Sequence, residues 1–218
     1  MSKKILMVTT NYSDINDKIK TGVTLEEFAV PFLTFVATGY DVVVASPNGG
    51  NSPIDENSLS CSNPMEWDDA AKYLKNTKKL SDIDACEFDA IFVVGGHGTM
   101  FDLYNNHVLN CIILKLYNSN KVIAAICHGV VALTSVVDEC GESILKNKYI
   151  TAFSNKEEHI LKMQEFMPFS LEDKIKELGA SFVSQKPWSE HIEMSCNIIT
   201  GQNQQSSLLA TEAVISLL

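Results

Sequence analysis

VIAAICHGVVAL, residues 122–133, decides the fold. Val122–Ile126 is an unbroken apolar, β-branched run, the pattern of a strand buried on both faces of a sheet. Cys127, His128 and Gly129 follow without a spacer, and Gly129–Ser135 continues as an apolar helical segment. A strand that passes through a tight turn straight into a helix projects the turn side chain beyond the carboxyl end of the sheet. This is the thiol counterpart of the nucleophile elbow.

The same rhythm extends in both directions. Lys4–Val8 (KILMV), Asp41–Ala45 (DVVVA), Ala90–Val94 (AIFVV) and Tyr149–Phe153 read as strands, with shorter ones at Ser181–Val183 and Asn197–Thr200. Helical spacing marks Thr24–Ala37, Glu66–Leu74, Asn106–Tyr117, Glu157–Gln164, Ser170–Leu178 and Gln204–Leu218. Thr24 and Glu27 have the spacing of a capping box, and Pro31 inside that helix predicts a kink or a late start. Alternating strands and helices predict an α/β fold with a mostly parallel central sheet sandwiched by helices, in the flavodoxin-like manner. Residues 1–218 read as one such domain, with a polar excursion at about 51–83.

Composition narrows the function classes. The 218 residues carry 17 Lys plus Arg against 27 Asp plus Glu, a formal charge of −10. So acidic a chain, with no basic cluster beyond pairs such as Lys78-Lys79, argues against nucleic acid and against an anionic membrane surface. The apolar runs are far shorter than the ~20 residues of a membrane span, and the first of them reads as a strand rather than a leader. None of the six cysteines stands in a C-x-x-C pair, which predicts mostly free thiols in a reducing, cytoplasmic setting. For Cys61, Cys86, Cys111, Cys140 and Cys196 the expectation is a buried structural cysteine.

Ligands of such folds sit beyond the carboxyl ends of the strands, so the strand ends are where chemistry is sought. At Cys127, a strand end, a histidine neighbour, a close-packing glycine and a helix N-terminus coincide, which predicts a lowered thiol pKa and appreciable thiolate at neutral pH. Gly95-Gly96-His97-Gly98-Thr99 follows another strand. The Gly98 amide is a candidate oxyanion donor with the His128 amide as its partner. The third strand end leads through Lys20–Thr24 to Glu26 and Glu27. The pattern alone favours a solvated Glu27 in the first turn of a helix, whereas a loop that folds back would carry it into the crevice. His97, His107 and His159 show no ligand spacing with one another, so no metal site is expected.

Together, K-T-G-x-x-x-x-E at Lys20–Glu27, G-G-H-G-T-x-F-D at Gly95–Asp102 and A-x-C-H-G at Ala125–Gly129 resemble the PfpI superfamily, with its class I glutamine amidotransferase-like fold. Within it the chain is similar to the branch of glutathione-independent glyoxalases, also called D-lactate dehydratases, some of which are described as heat-shock chaperones. The resemblance runs on through Ile150–Glu158, Leu178–Val183, Pro187-Trp188 and Ile199–Asn203, with Gln204 standing where the family usually has proline. It implies Cys127 as nucleophile, His128 as its base, Glu158 as third member and Glu27 as proton carrier beside the thiol. It also implies a substrate pocket lined by Gly96, His97 and Trp188. The adjacency of Glu157 and Glu158 leaves open which of the two is the third member.

The implied substrate is a small 2-oxoaldehyde such as methylglyoxal or glyoxal. It would pass through a Cys127 hemithioacetal to lactate or glycolate with no cofactor, because the substrate disproportionates internally. The superfamily habit further implies a homodimer. Three alternatives stand beside this reading. They are an amidase, peptidase or deglycase on the same cysteine (with His191 and Glu193 as amidotransferase-style partners), a non-catalytic holdase chaperone, and a redox sensor at Cys127.

Overall fold

The computed structural model describes residues 2–60 and 62–218. Its elements in chain order are β1 (Lys4–Val8), β2 (Asp14–Asn16), β3 (Ile19–Lys20), α1 (Leu25–Ala37), β4 (Asp41–Ser46), α2 (Met65–Ala71), β5 (Lys78–Lys79), β6 (Ala90–Val93) and α3 (Thr99–Asp102). They continue as α4 (His107–Asn118), β7 (Val122–Ile126), β8 (Tyr149–Ile150), α5 (Asn155–Leu161), α6 (Leu171–Glu177), β9 (Ser181–Phe182), β10 (Ile192–Ser195), β11 (Ile198–Gly201) and α7 (Ser207–Leu217).

Seven strands form one sheet in the order β10-β11-β7-β6-β1-β4-β5, parallel except for the antiparallel edge strand β10. This is the α/β architecture that the alternating pattern predicts. The central strands are apolar throughout because both faces are covered. On β1, Leu6 and Val8 face one core while Ile5 and Met7 face the other, and β6 and β7 divide their residues the same way. Helix α4 covers the first face through Leu109, Ile112, Ile113 and Leu116, an i, i+3, i+4, i+7 stripe. Its start is fixed by Asn106, whose side chain accepts from the Leu109 amide at 3.1 Å. Helices α1 and α7 cover the second face through Phe28, Phe32, Phe35, Ala210 and Val214.

Several local expectations are corrected. The segment after β7 is a 3₁₀ helix, Cys127–Leu133, not an α-helix. Strands β8 and β9 pair with each other outside the main sheet, and the hairpin β2–β3 carries no signal of its own in the sequence. Pro31 lies in the middle of α1 without ending it. Thr24 makes no side-chain cap; the Leu25 amide donates instead to Ser58 Oγ at 3.0 Å, from the polar stretch after β4. That stretch is stitched to the sheet edge by the Gly50–Thr77 bridge and by a 2.6 Å contact between the hydroxyls of Ser46 and Thr77. It then supplies β5 as the edge strand.

Cys86, Cys111, Cys140 and Cys196 are exposed and free, not buried, because each lies on a helix surface or a turn outside the two cores. Cys61 lies outside the described residues. Among the described residues no helix is long and apolar enough to cross a membrane.

The joint between β7 and β6 is tight enough to test. A methyl group on Gly129 would sit 2.7 Å from the carbonyl oxygens of both Val93 and Val94, which are backbone atoms that cannot rotate away. Gly129→Ala is expected to destabilise the fold by about 1–3 kcal/mol. Urea unfolding followed by circular dichroism measures this, and an unchanged midpoint would refute the close approach.

Candidate active site

The chain reverses direction at Cys127 in the left-handed region, φ 56°, which a non-glycine residue adopts only under constraint. The turn carries the thiol to the floor of a cavity of about 460 Å³. His128, Glu27, Gly96, His97, Phe153, Trp188 and Gln204 share the lining with it. Cys127 is 4 % exposed. The loop after β6 must come close to this turn. A methyl on Gly95 would meet Glu27 Oε2 at 2.2 Å and Cys127 Cβ at 2.8 Å, so glycine there is what lets the carboxyl and the thiol face each other.

His128 is buried, with Nδ1 3.5 Å from Cys127 Sγ and Nε2 2.7 Å from Glu158 Oε2. An ionised carboxylate only accepts, so Nε2 carries the proton and Nδ1 presents its lone pair to the thiol. Although burial opposes ionisation, the two histidines at its oxygens hold the Glu158 carboxyl well below the ordinary range. Burial, and then the neighbouring His97, push His128 down, which keeps the imidazole neutral.

The adjacent pair Glu157 and Glu158 is separated by the helix. Successive residues of α5 point about 100° apart, and Glu158 is the one that turns toward the histidines. Glu157 turns away. It closes a capping box with Ser154 and accepts from Asn203 Nδ2 at 2.7 Å, Gln202 Nε2 at 3.1 Å and the Trp188 amide at 3.0 Å.

Glu27 is not a solvated first-turn residue. It is fully buried, and neither carboxyl oxygen has a conventional hydrogen-bond partner. Desolvation pushes its pKa up to about 8, only partly opposed by the Cys127 thiol and the Gly95 amide. Burial also pushes the Cys127 thiol well up, with Glu27 adding to the effect. Burial and Glu27 therefore act against the lowered thiol pKa that the turn's free amides would favour.

Of the second loop, Gly96 and His97 line the cavity, but Gly98 does not. Gly98 already has helical backbone angles at the start of α3 and packs against Tyr12 and Thr10. Asp102 anchors this loop, accepting from Thr10 Oγ1 and from the Asn11 amide, each at 2.7 Å. Phe153 lies 4.5 Å from the His128 ring and 5.7 Å from Trp188, centroid to centroid, and Trp188 has φ 65°. His191 and Glu193 sit on and beside edge strand β10, 3.1 Å from each other, and neither lines the cavity.

His97 Nε2 lies 2.9 Å from the second oxygen of Glu158. Nitrogen and oxygen atoms of His97, His128 and Glu158 fall within 4.8 Å of one another, a potential ligand set assembled from three separate segments. Spacing among histidines along the chain could not reveal it.

The DJ-1/PfpI family profile matches residues 18–216. Glyoxalase 3 of Candida albicans is 31% identical, covering 98% of this chain and 97% of that protein. A glutathione-independent glyoxalase of Schizosaccharomyces pombe is also 31% identical, over 98% of this chain and 95% of its own. Among solved structures, glyoxalase III from Candida albicans superposes with a TM-score of 0.91 at 31% identity, covering 98% of this chain and 96% of that one. The Rapid Encystment Protein of Francisella tularensis superposes at 0.94 with 37% identity, covering 98% of each chain. This chain belongs to the DJ-1/PfpI family.

Proposed function

We infer that the protein is a glutathione-independent glyoxalase, converting a small 2-oxoaldehyde and water to the corresponding 2-hydroxy acid. The observation that carries this is the relay Cys127 Sγ–His128–Glu158 at the cavity, 3.5 Å and 2.7 Å across its two links, in a chain with full-length relatives that are named glyoxalases.

The aldehyde carbon is the electrophile. His128 Nδ1 takes the thiol proton as Cys127 Sγ attacks, so the nucleophile is made on demand and not stored as an anion. Glu158 stabilises the imidazolium that forms. The His128 amide, together with an amide of the Gly96–Gly98 loop, receives the developing oxyanion. Proton transfer from the aldehyde carbon to its neighbour passes through an enediol and leaves a thioester on Cys127. Glu27, still protonated, faces the sulfur as the group that holds and returns a proton. Water then cleaves the thioester, so one water is consumed and no electron leaves the substrate. Phe153 and Trp188 form an apolar wall that limits water at the reacting carbons.

Two measurements test this reading. Purified protein given methylglyoxal without glutathione should form lactate. Cys127→Ala should lower kcat/KM by at least about a thousandfold, and Glu158→Gln by roughly 10²–10⁴-fold. Wild-type rates in Cys127→Ala would refute it. The second concerns Glu27. Its folded pKa of about 8 lies above the ordinary 4.5, so between these values the unfolded chain releases a proton that the folded chain keeps. Its contribution to stability is full below 4.5 and is lost as pH rises toward 8. Glu27→Gln removes that loss, so its stability relative to wild type should grow from pH 5 to pH 8 in urea titrations. A pH-independent difference would mean that Glu27 is ionised in the fold.

A further inference from the structure

Glu158 is gripped from two sides. His128 Nε2 reaches one oxygen at 2.7 Å and His97 Nε2 the other at 2.9 Å, with the imidazole centroids 4.1 Å apart. A relay to Cys127 uses only one of these histidines. All three side chains are largely withdrawn from bulk water, His97 and Glu158 being 13 % exposed and His128 1 %. The two histidines nonetheless line the cavity, which leaves an approach from the substrate side. Two imidazole nitrogens and one carboxylate make a donor set for a divalent d-block cation. The formal charge of −10 favours cations in the surrounding solution.

We propose that His97 Nε2, His128 Nε2 and the Glu158 carboxylate form a binding site for a zinc-type divalent cation, and that its occupation silences Cys127. The binding half stands on the geometry alone; the silencing half rests on the glyoxalase reading. An Nε2 atom cannot donate to Glu158 and coordinate an ion at once. On coordination the proton of the neutral His128 ring moves from Nε2 to Nδ1, with no change in its charge. On His128 that proton arrives at the atom 3.5 Å from Cys127 Sγ, so the lone pair that would take the thiol proton is gone. The sulfur lies on the opposite edge of the ring and is not one of the clustered donors, so the site is built from nitrogen and oxygen.

The test uses full-length protein, stripped with EDTA and with its exposed thiols blocked by iodoacetamide. Zinc sulfate is titrated by calorimetry and cobalt(II) by absorbance. One ion should bind Cys127→Ala with a Kd on the order of micromolar, showing visible cobalt bands without an intense near-ultraviolet thiolate band. His97→Asn and Glu158→Gln, placed on the same Cys127→Ala background and confirmed as folded by circular dichroism, should bind at least about tenfold more weakly. His191→Ala on that background should bind as tightly as its parent. In unblocked wild type, zinc should abolish hydroxy-acid formation and EDTA should restore it, with half-inhibition tracking the Kd. No binding to Cys127→Ala at roughly 100 µM zinc would overturn the site, as would unweakened binding after His97→Asn. Binding without inhibition would overturn the silencing alone. Because binding is read on protein lacking the nucleophile, failure of the glyoxalase reading leaves this result intact.

Discussion

The left-handed backbone at Cys127 is the constraint on which the site depends. Strand β7 is buried to its last residue, Ile126, and the chain must turn at once to bring Gly129 against the carbonyls of Val93 and Val94. That close approach leaves no room for a gradual exit. Cys127 takes φ 56°, at a cost of about 1–3 kcal/mol that the burial of Val130, Val131 and Leu133 offsets. The same turn aims the thiol and the His128 ring into one cavity, with the base one residue from the nucleophile. A looser turn would give the same composition without the 3.5 Å contact between them.

Around this turn two carboxyl groups are driven in opposite directions. Glu158 meets two histidines and is held ionised, whereas Glu27 is sealed against the thiol with no conventional partner and holds its proton up to about pH 8. Environments that push paired groups apart in this way assign their roles. In the proposed reaction this makes Glu158 the group that stabilises positive charge on His128 and Glu27 the acid next to sulfur.

Much of this was legible in the sequence because it is encoded locally. The apolar runs of β1, β4, β6 and β7, the C-H-G turn and the G-G-H-G loop each declare themselves within a few residues. What stayed hidden depends on contacts between distant segments. Thr24 and Glu27 have capping-box spacing, yet Ser58, more than thirty residues away, supplies the cap and frees Glu27 to turn inward. Cys127 has every local mark of an activated thiol, but the amount of water removed from it is a property of the packed sheet and not of its neighbours in sequence. Gly98 is adjacent to a lining residue and yet does not line the cavity, because it caps α3 and packs against Thr10 and Tyr12. The exposure of Cys86, Cys111, Cys140 and Cys196 has the same cause: burial is set by the layers, and residue type only biases it.

Glu157 shows how a residue outside the relay governs it. It is a fully buried carboxylate surrounded by donors from three segments, and one of them is the amide of Trp188 in a left-handed conformation. A strained indole-bearing residue keeps its place only if its backbone is fixed, and here the fixing group shares a helical turn with Glu158. Wall and relay are therefore anchored to the same turn of α5. A shift of α5 that loosened Glu158 from His128 would also release the Trp188 amide and open the apolar wall to water. The neighbouring Gln202 and Asn203, which satisfy the remaining lone pairs of Glu157, tie that turn to the end of β11.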